Sequence, residues 1–137
     1  MSDFDAYLKQ GQKWHEDGRF SQAIHHYSQA MILKPNASIA YELRAVAYYD
    51  QGQHQAALAD FNEVIRLNPF NDVAYWGRGK VFAAMADDLW AMSSYSRAIE
   101  LNPEEPLYYV DRAEAYERLG QLQRADADRQ EARRLEG

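Results

Sequence analysis

The four histidines, His15, His25, His26 and His54, are the first places to look for acid-base or metal chemistry in this 137-residue chain. Two histidines reach one metal from a single helix face when they stand four residues apart, and no pair here has that spacing. His25 and His26 are neighbours, so on a helix they point roughly 100° apart, and they read as structural or solvated groups. One glycine-rich segment, Gly77-Arg78-Gly79-Lys80, invites comparison with a phosphate loop. Such a loop needs longer spacing and a preceding strand. Cysteine is absent, which removes disulfides, thiolate metal sites and a thiol nucleophile. No set of nucleophile, base and orienting group suggests itself. The expectation is therefore no catalytic, metal or cofactor-binding residue, and a protein that is not an enzyme.

The charge balance narrows the partners. Fifteen Lys and Arg stand against 21 Asp and Glu, for a formal net charge of −6. No basic stripe is present, so nucleic acid is not an expected partner. By repeat, in the register derived below, the net charges are 0, −2, −3 and −1, which puts the acidity in the middle. These acids read as solvated helix faces that would steer a partner carrying basic residues. No stretch approaches the roughly 18 to 20 apolar residues of a membrane span. The start, Met1-Ser2-Asp3-Phe4-Asp5, is acidic and leads into no signal-length apolar run, so a cytoplasmic location is expected.

The elements that would position any site follow from an internal repeat. Pro35, Pro69 and Pro103 are spaced 34 residues apart. In that register Gly11, Ala45, Gly79 and Ala113 form one column, and Trp14, Tyr48, Phe82 and Tyr116 form another. Ala23, Ala57, Ala91 and Ala125 align, as do Tyr7, Tyr41, Tyr75 and Tyr109. Apolar residues three or four apart, as in Ala57, Phe61 and Val64, mark amphipathic helices. Gly18, Gly52 and Gly120 separate two helices within a unit, and the prolines close the second. A single pair cannot bury its apolar stripe, so neighbouring units must stack.

These columns resemble the tetratricopeptide repeat family, whose signature is matched at Gly11, Trp14, Tyr48, Ala57, Phe61, Ala98 and Pro103 among others. The resemblance covers the full chain as one domain, residues 1–137, with repeats at about 4–37, 38–71, 72–105 and 106–137. It implies an all-α fold: a right-handed superhelical α-solenoid of about eight helices in antiparallel pairs. It further implies a protein-binding scaffold or adaptor whose concave groove is lined by the first helix of each repeat. On that reading the groove residues are Leu8, Gln12, Glu42, Leu43, Val46, Tyr49, Asp50, Trp76 and Lys80, with Leu43, Val46, Tyr49 and Trp76 as an apolar centre. The expected partner is a protein or peptide segment with an apolar anchor, with or without basic residues.

Some members of the family capture a C-terminal carboxylate with Lys, Asn and Arg at five groove positions. Here those positions hold Leu8, Gln12, Leu43, Val73 and Gly77, so no carboxylate clamp is expected. The copies also differ from one another. Arg129 replaces the aromatic of Tyr27, Phe61 and Tyr95, and the polar last helix reads as a solubilising C-terminal cap. The third inter-helix turn, Ala86-Asp87-Asp88-Leu89-Trp90, lacks glycine, and Trp90 is expected to be partly exposed as a secondary contact. A monomer is expected; the alternative is a self-associating homo-oligomeric module using the Leu89-Trp90 turn or the terminal helices.

Overall fold

The computed structural model describes residues 1–137 as eight α-helices. They are α1 (Asp3–Glu16), α2 (Phe20–Leu33), α3 (Ser38–Asp50), α4 (His54–Leu67), α5 (Asp72–Ala84), α6 (Asp88–Leu101), α7 (Pro106–Arg118) and α8 (Leu122–Glu136). Each repeat expected from the prolines is one pair of consecutive helices. The helices group into two compact units, Met1–Pro69 and Phe70–Gly137.

Local chemistry sets the element ends. Ser2, Asn71 and Asp87 cap α1, α5 and α6 by accepting from the backbone N–H three residues on. Pro106 opens α7, where its missing N–H leaves no bond unmade. All four inter-helix turns share one closure, in which the residue after the turn donates its N–H five residues back. Arg19 to Trp14 (2.9 Å), Gln53 to Tyr48 (2.9 Å), Asp87 to Phe82 (2.9 Å) and Gln121 to Tyr116 (2.8 Å) make it. This closure requires a left-handed residue. Gly52 supplies it with φ +84°, and in the third repeat Ala86 adopts φ +60° despite its Cβ.

In the first unit, buried Phe4, Ala30 and Ala40 pack with Tyr7, Leu8 and Met31, and buried Ala23, Tyr27 and Ala47 pack with Leu8, Trp14, Ile24 and Leu43. In the second unit Ala91, Tyr95 and Ala115 gather Trp76, Phe82 and Met92, and Ala113, Tyr116 and Ala125 pack below them against Met92. The small-residue column holds the helix pairs close. A Cβ on Gly79 would lie 2.5 Å from Cε1 of Tyr95, and one on Gly11 would lie 2.7 Å from Cδ1 of Tyr27. Tyrosine thus faces glycine in repeats one and three, whereas Phe61 and Arg129 accompany Ala45 and Ala113 in repeats two and four.

Not all the acids are solvated, which corrects the expectation from composition. Asp60 is 4% exposed and Asp128 is 5% exposed. Arg44 donates Nε and Nη2 to the two oxygens of Asp60 at 2.7 and 2.8 Å, and Nη1 to Ser28 Oγ at 3.1 Å. Arg112 repeats the arrangement with Asp128 at 2.8 and 2.7 Å and Ser96 Oγ at 3.1 Å. Each guanidinium joins three helices: its own, the partner helix of its repeat and the second helix of the repeat before. A bidentate fork satisfies both carboxylate oxygens, which is what a buried pair needs to offset desolvation. The hydrogen bond with Asp60 also holds the Arg44 guanidinium more firmly protonated. Asp128 lies in the polar run assigned to the cap, so that helix is polar outside and ion-paired inside.

Candidate functional site

The polar and aromatic side chains of the first helices converge most closely in the second unit. Trp76 of α5 donates its indole Nε1–H to Asp111 Oδ2 of α7 at 2.6 Å. The Tyr108 ring stands 5.6 Å from the Trp76 ring, and the Lys80 ammonium lies 4.6 Å from that ring's centroid. Tyr108 donates its hydroxyl to Asp72 Oδ2 at 2.6 Å, and Asn102 donates Nδ2 to the same oxygen at 3.2 Å. Trp76 is half-buried and packs against the Ala91, Tyr95 and Ala115 cluster. Burial pushes the Asp111 carboxyl above its ordinary range, opposed by the Trp76 hydrogen bond and the Lys80 charge and reinforced by Glu114. An aromatic plate, a cation on its face and a partly desolvated carboxylate at its edge can hold an apolar or cationic side chain.

The groove residues of the first unit behave differently. Leu8 and Leu43 pack on the buried cluster of Ala23, Tyr27 and Ala47, so both act largely as core. Gln12 is exposed, Val46 is 37% exposed, and Glu42 and Tyr49 are half-buried. Asp50 accepts from His15 Nε2 at 2.7 Å, joining α3 to α1, and His15 packs edge-on to Phe20 with ring centroids 5.4 Å apart. Tyr49 lies 6.1 Å from the His54 ring. The residues expected at the apolar centre thus come from both units, Leu43, Val46 and Tyr49 from α3 and Trp76 from α5, with Lys80 also on α5.

Asp111 was expected on the first-helix face of the last repeat, whereas Tyr108 was not, and together they complete the Trp76 cluster. A signal was there. Trp76 with Asp111 and His15 with Asp50 are both separated by 35 residues, one repeat plus one, the offset at which successive first helices meet. Trp90, at the start of α6, is 58% exposed beside Leu89 at 59%, and its ring centroid is 6.1 Å from that of Phe82. Gly77 to Lys80 lie within α5, where Gly79 admits Tyr95, so that segment is helix and not a phosphate loop.

Stacked helix pairs that present aromatic and acidic side chains on their first helices define a repeat scaffold for protein contact. The chain belongs to the tetratricopeptide repeat family: two models of that repeat match residues 16–72 and 94–127. Among solved structures it is similar to a crystal structure of MamA, at 25% identity and a TM-score of 0.91, covering 97% of this chain and 78% of that one. A second crystal structure of the MamA protein matches at 25% identity with a TM-score of 0.89, covering 97% and 73%. A MamA RS-1 ArsTM double mutant matches at 19% identity with a TM-score of 0.90, covering 98% and 75%. No curated protein sequence matches the chain. No helix is long and apolar enough to cross a membrane.

Proposed function

We propose that this chain is a non-catalytic adaptor that binds an extended or helical segment of a partner protein along its first-helix faces, with residues 1–137 working as one binding domain. The observation that carries this reading is the Trp76 cluster: an accessible indole held at its edge by Asp111 and covered on one face by Lys80. Aromatic anchors ringed by polar groups dominate the energetics of most protein interfaces. The segment places an apolar side chain on Trp76, with basic residues beside it drawn by the acidity of the middle repeats. The clamp positions Leu8, Gln12, Leu43, Val73 and Gly77 favour no terminal carboxylate, so chaperone tails ending in Glu-Glu-Val-Asp are not the ligand.

The test is a pull-down from native lysate with wild type beside a Tyr49→Ala/Trp76→Ala/Lys80→Ala variant, its fold verified by circular dichroism. Proteins kept by wild type and lost by the variant support the reading, and equal retention by both overturns it. A second reading, self-association through the Leu89-Trp90 turn, draws on the exposure of both side chains. Light scattering over a concentration series separates the two, because the adaptor stays monomeric as concentration rises.

A further inference from the structure

On α1, positions that are buried on α3 and α7 are left open. In repeats two and four the first helix is covered by the second helix of the repeat before, α3 by α2 and α7 by α6. Ala40, Ala47, Tyr108 and Ala115 are consequently buried. The same two columns on α1 hold Ala6 and Lys13, with Tyr7, Gln10, Trp14 and Asp17 nearby on α1; of these six, Gln10, Lys13 and Asp17 are exposed. Gln10, Lys13, Trp14 and Asp17 line an open hollow of about 410 Å³, and a smaller one of about 170 Å³ continues along Asp3, Ala6, Tyr7 and Gln10. Tyr7 and Trp14 are held in place from behind by the His26 ring, at 6.3 and 6.5 Å.

Independently of the groove, we propose that this face of α1 docks an amphipathic helix of a partner protein that carries a carboxylate in the middle of its apolar stripe. The interior of the chain supplies the template. Tyr27 of α2 packs with Ala47 of α3, and Tyr95 of α6 packs with Ala115 of α7. On α1 that receiving column is Lys13, an exposed ammonium where Ala47, Val81 and Ala115 are buried in the other repeats. A docking helix therefore needs an acid where α2 has Tyr27, and apolar residues where α2 has Ile24 and Met31. A second copy of this chain does not meet that need. The helix it would present is α8, whose residue in the Tyr27 column is Arg129, a cation against Lys13. The occupant runs antiparallel to α1, as α2 runs on α3, so its N-terminus lies towards the Asp17 end of the hollow, and the acid opposite Lys13 falls further along its stripe.

The test uses helix-stabilised peptides of this chain's own α2 sequence, residues 20–34, with the natural Tyr27 or with Tyr27→Glu, titrated into wild-type protein and into Lys13→Glu. Because Lys13 is exposed, the variant keeps its fold, which circular dichroism checks. The expected result is that the Tyr27→Glu peptide binds wild type at least about fivefold more tightly than the natural peptide, and that Lys13→Glu reverses the order, as a directly opposed charge pair of ~1 kcal/mol implies. Amide NMR shifts should map to α1. The proposal is overturned if neither peptide shifts α1, if Lys13→Glu leaves the preference unchanged, or if sedimentation finds a dimer that Lys13→Glu dissolves, which would make the occupant a second copy.

Discussion

At the residue scale, two buried polar groups lead to measurable pH effects. The Tyr27 hydroxyl is buried without a hydrogen-bond partner, and burial, with Glu16 nearby, pushes its pKa to about 12. Because the folded value exceeds the unfolded one, Tyr27 favours folding below the unfolded value, and that advantage is lost as pH rises towards 12. Phe61 occupies the same column without the hydroxyl. Tyr27→Phe should therefore stabilise by about 1 kcal/mol at neutral pH, from removal of the unpaired group, and should flatten the alkaline limb of a thermal melt series. Asp111 has the same sign of shift in the acid range. Its carboxyl is raised by burial, so its contribution to stability is fully present in acid and is lost as pH rises through its folded value. Asp111→Asn keeps an acceptor for the Trp76 indole. It should melt higher than wild type at neutral pH, with the difference vanishing in acid.

At the element scale, the ion-paired arginines and the third turn are the places where substitution discriminates. Asp60→Ala strands the Arg44 guanidinium and should destabilise by about 3 to 5 kcal/mol in urea unfolding, whereas Arg44→Met with Asp60→Leu should lose far less. Ser28 survives the double change satisfied, since its hydroxyl also donates to the Ile24 carbonyl at 2.7 Å. Ala86→Gly should stabilise by up to about 1 kcal/mol by relieving the left-handed φ of +60°. The helices and their turns were legible in the sequence because they sit on columns recurring every 34 residues. The Arg44–Asp60 and Arg112–Asp128 pairs were less so: the column alternates, with Arg78 donating to Ser94 at 3.2 Å between them, and a search at a single period averages them into surface charge. The Trp76–Asp111 contact was obscured for a related reason, because contacts between successive first helices run diagonally to the repeat register.

At the scale of the whole molecule, the net charge of −6 acts on encounter more than on holding. Association with a basic partner segment should slow several-fold between about 0.05 and 0.5 M salt in stopped-flow measurements, as the screening length falls, while dissociation changes little. The arginine relays also have a bearing on how this chain can be rebuilt. Arg44, Asp60 and Ser28 recur 68 residues later as Arg112, Asp128 and Ser96, so the portable cassette is two repeats long and not one. Transplanting repeat four into the place of repeat two delivers an arginine and an aspartate already matched to the serine waiting on α2. Transplanting repeat three there delivers Arg78 and Ser94 in place of Arg44 and Asp60, so the serine on α2 meets a different network. Designers who shuffle single repeats of this chain will obtain two alternating kinds of hybrid, one that keeps the relay and one that replaces it, and the parity of the move decides which.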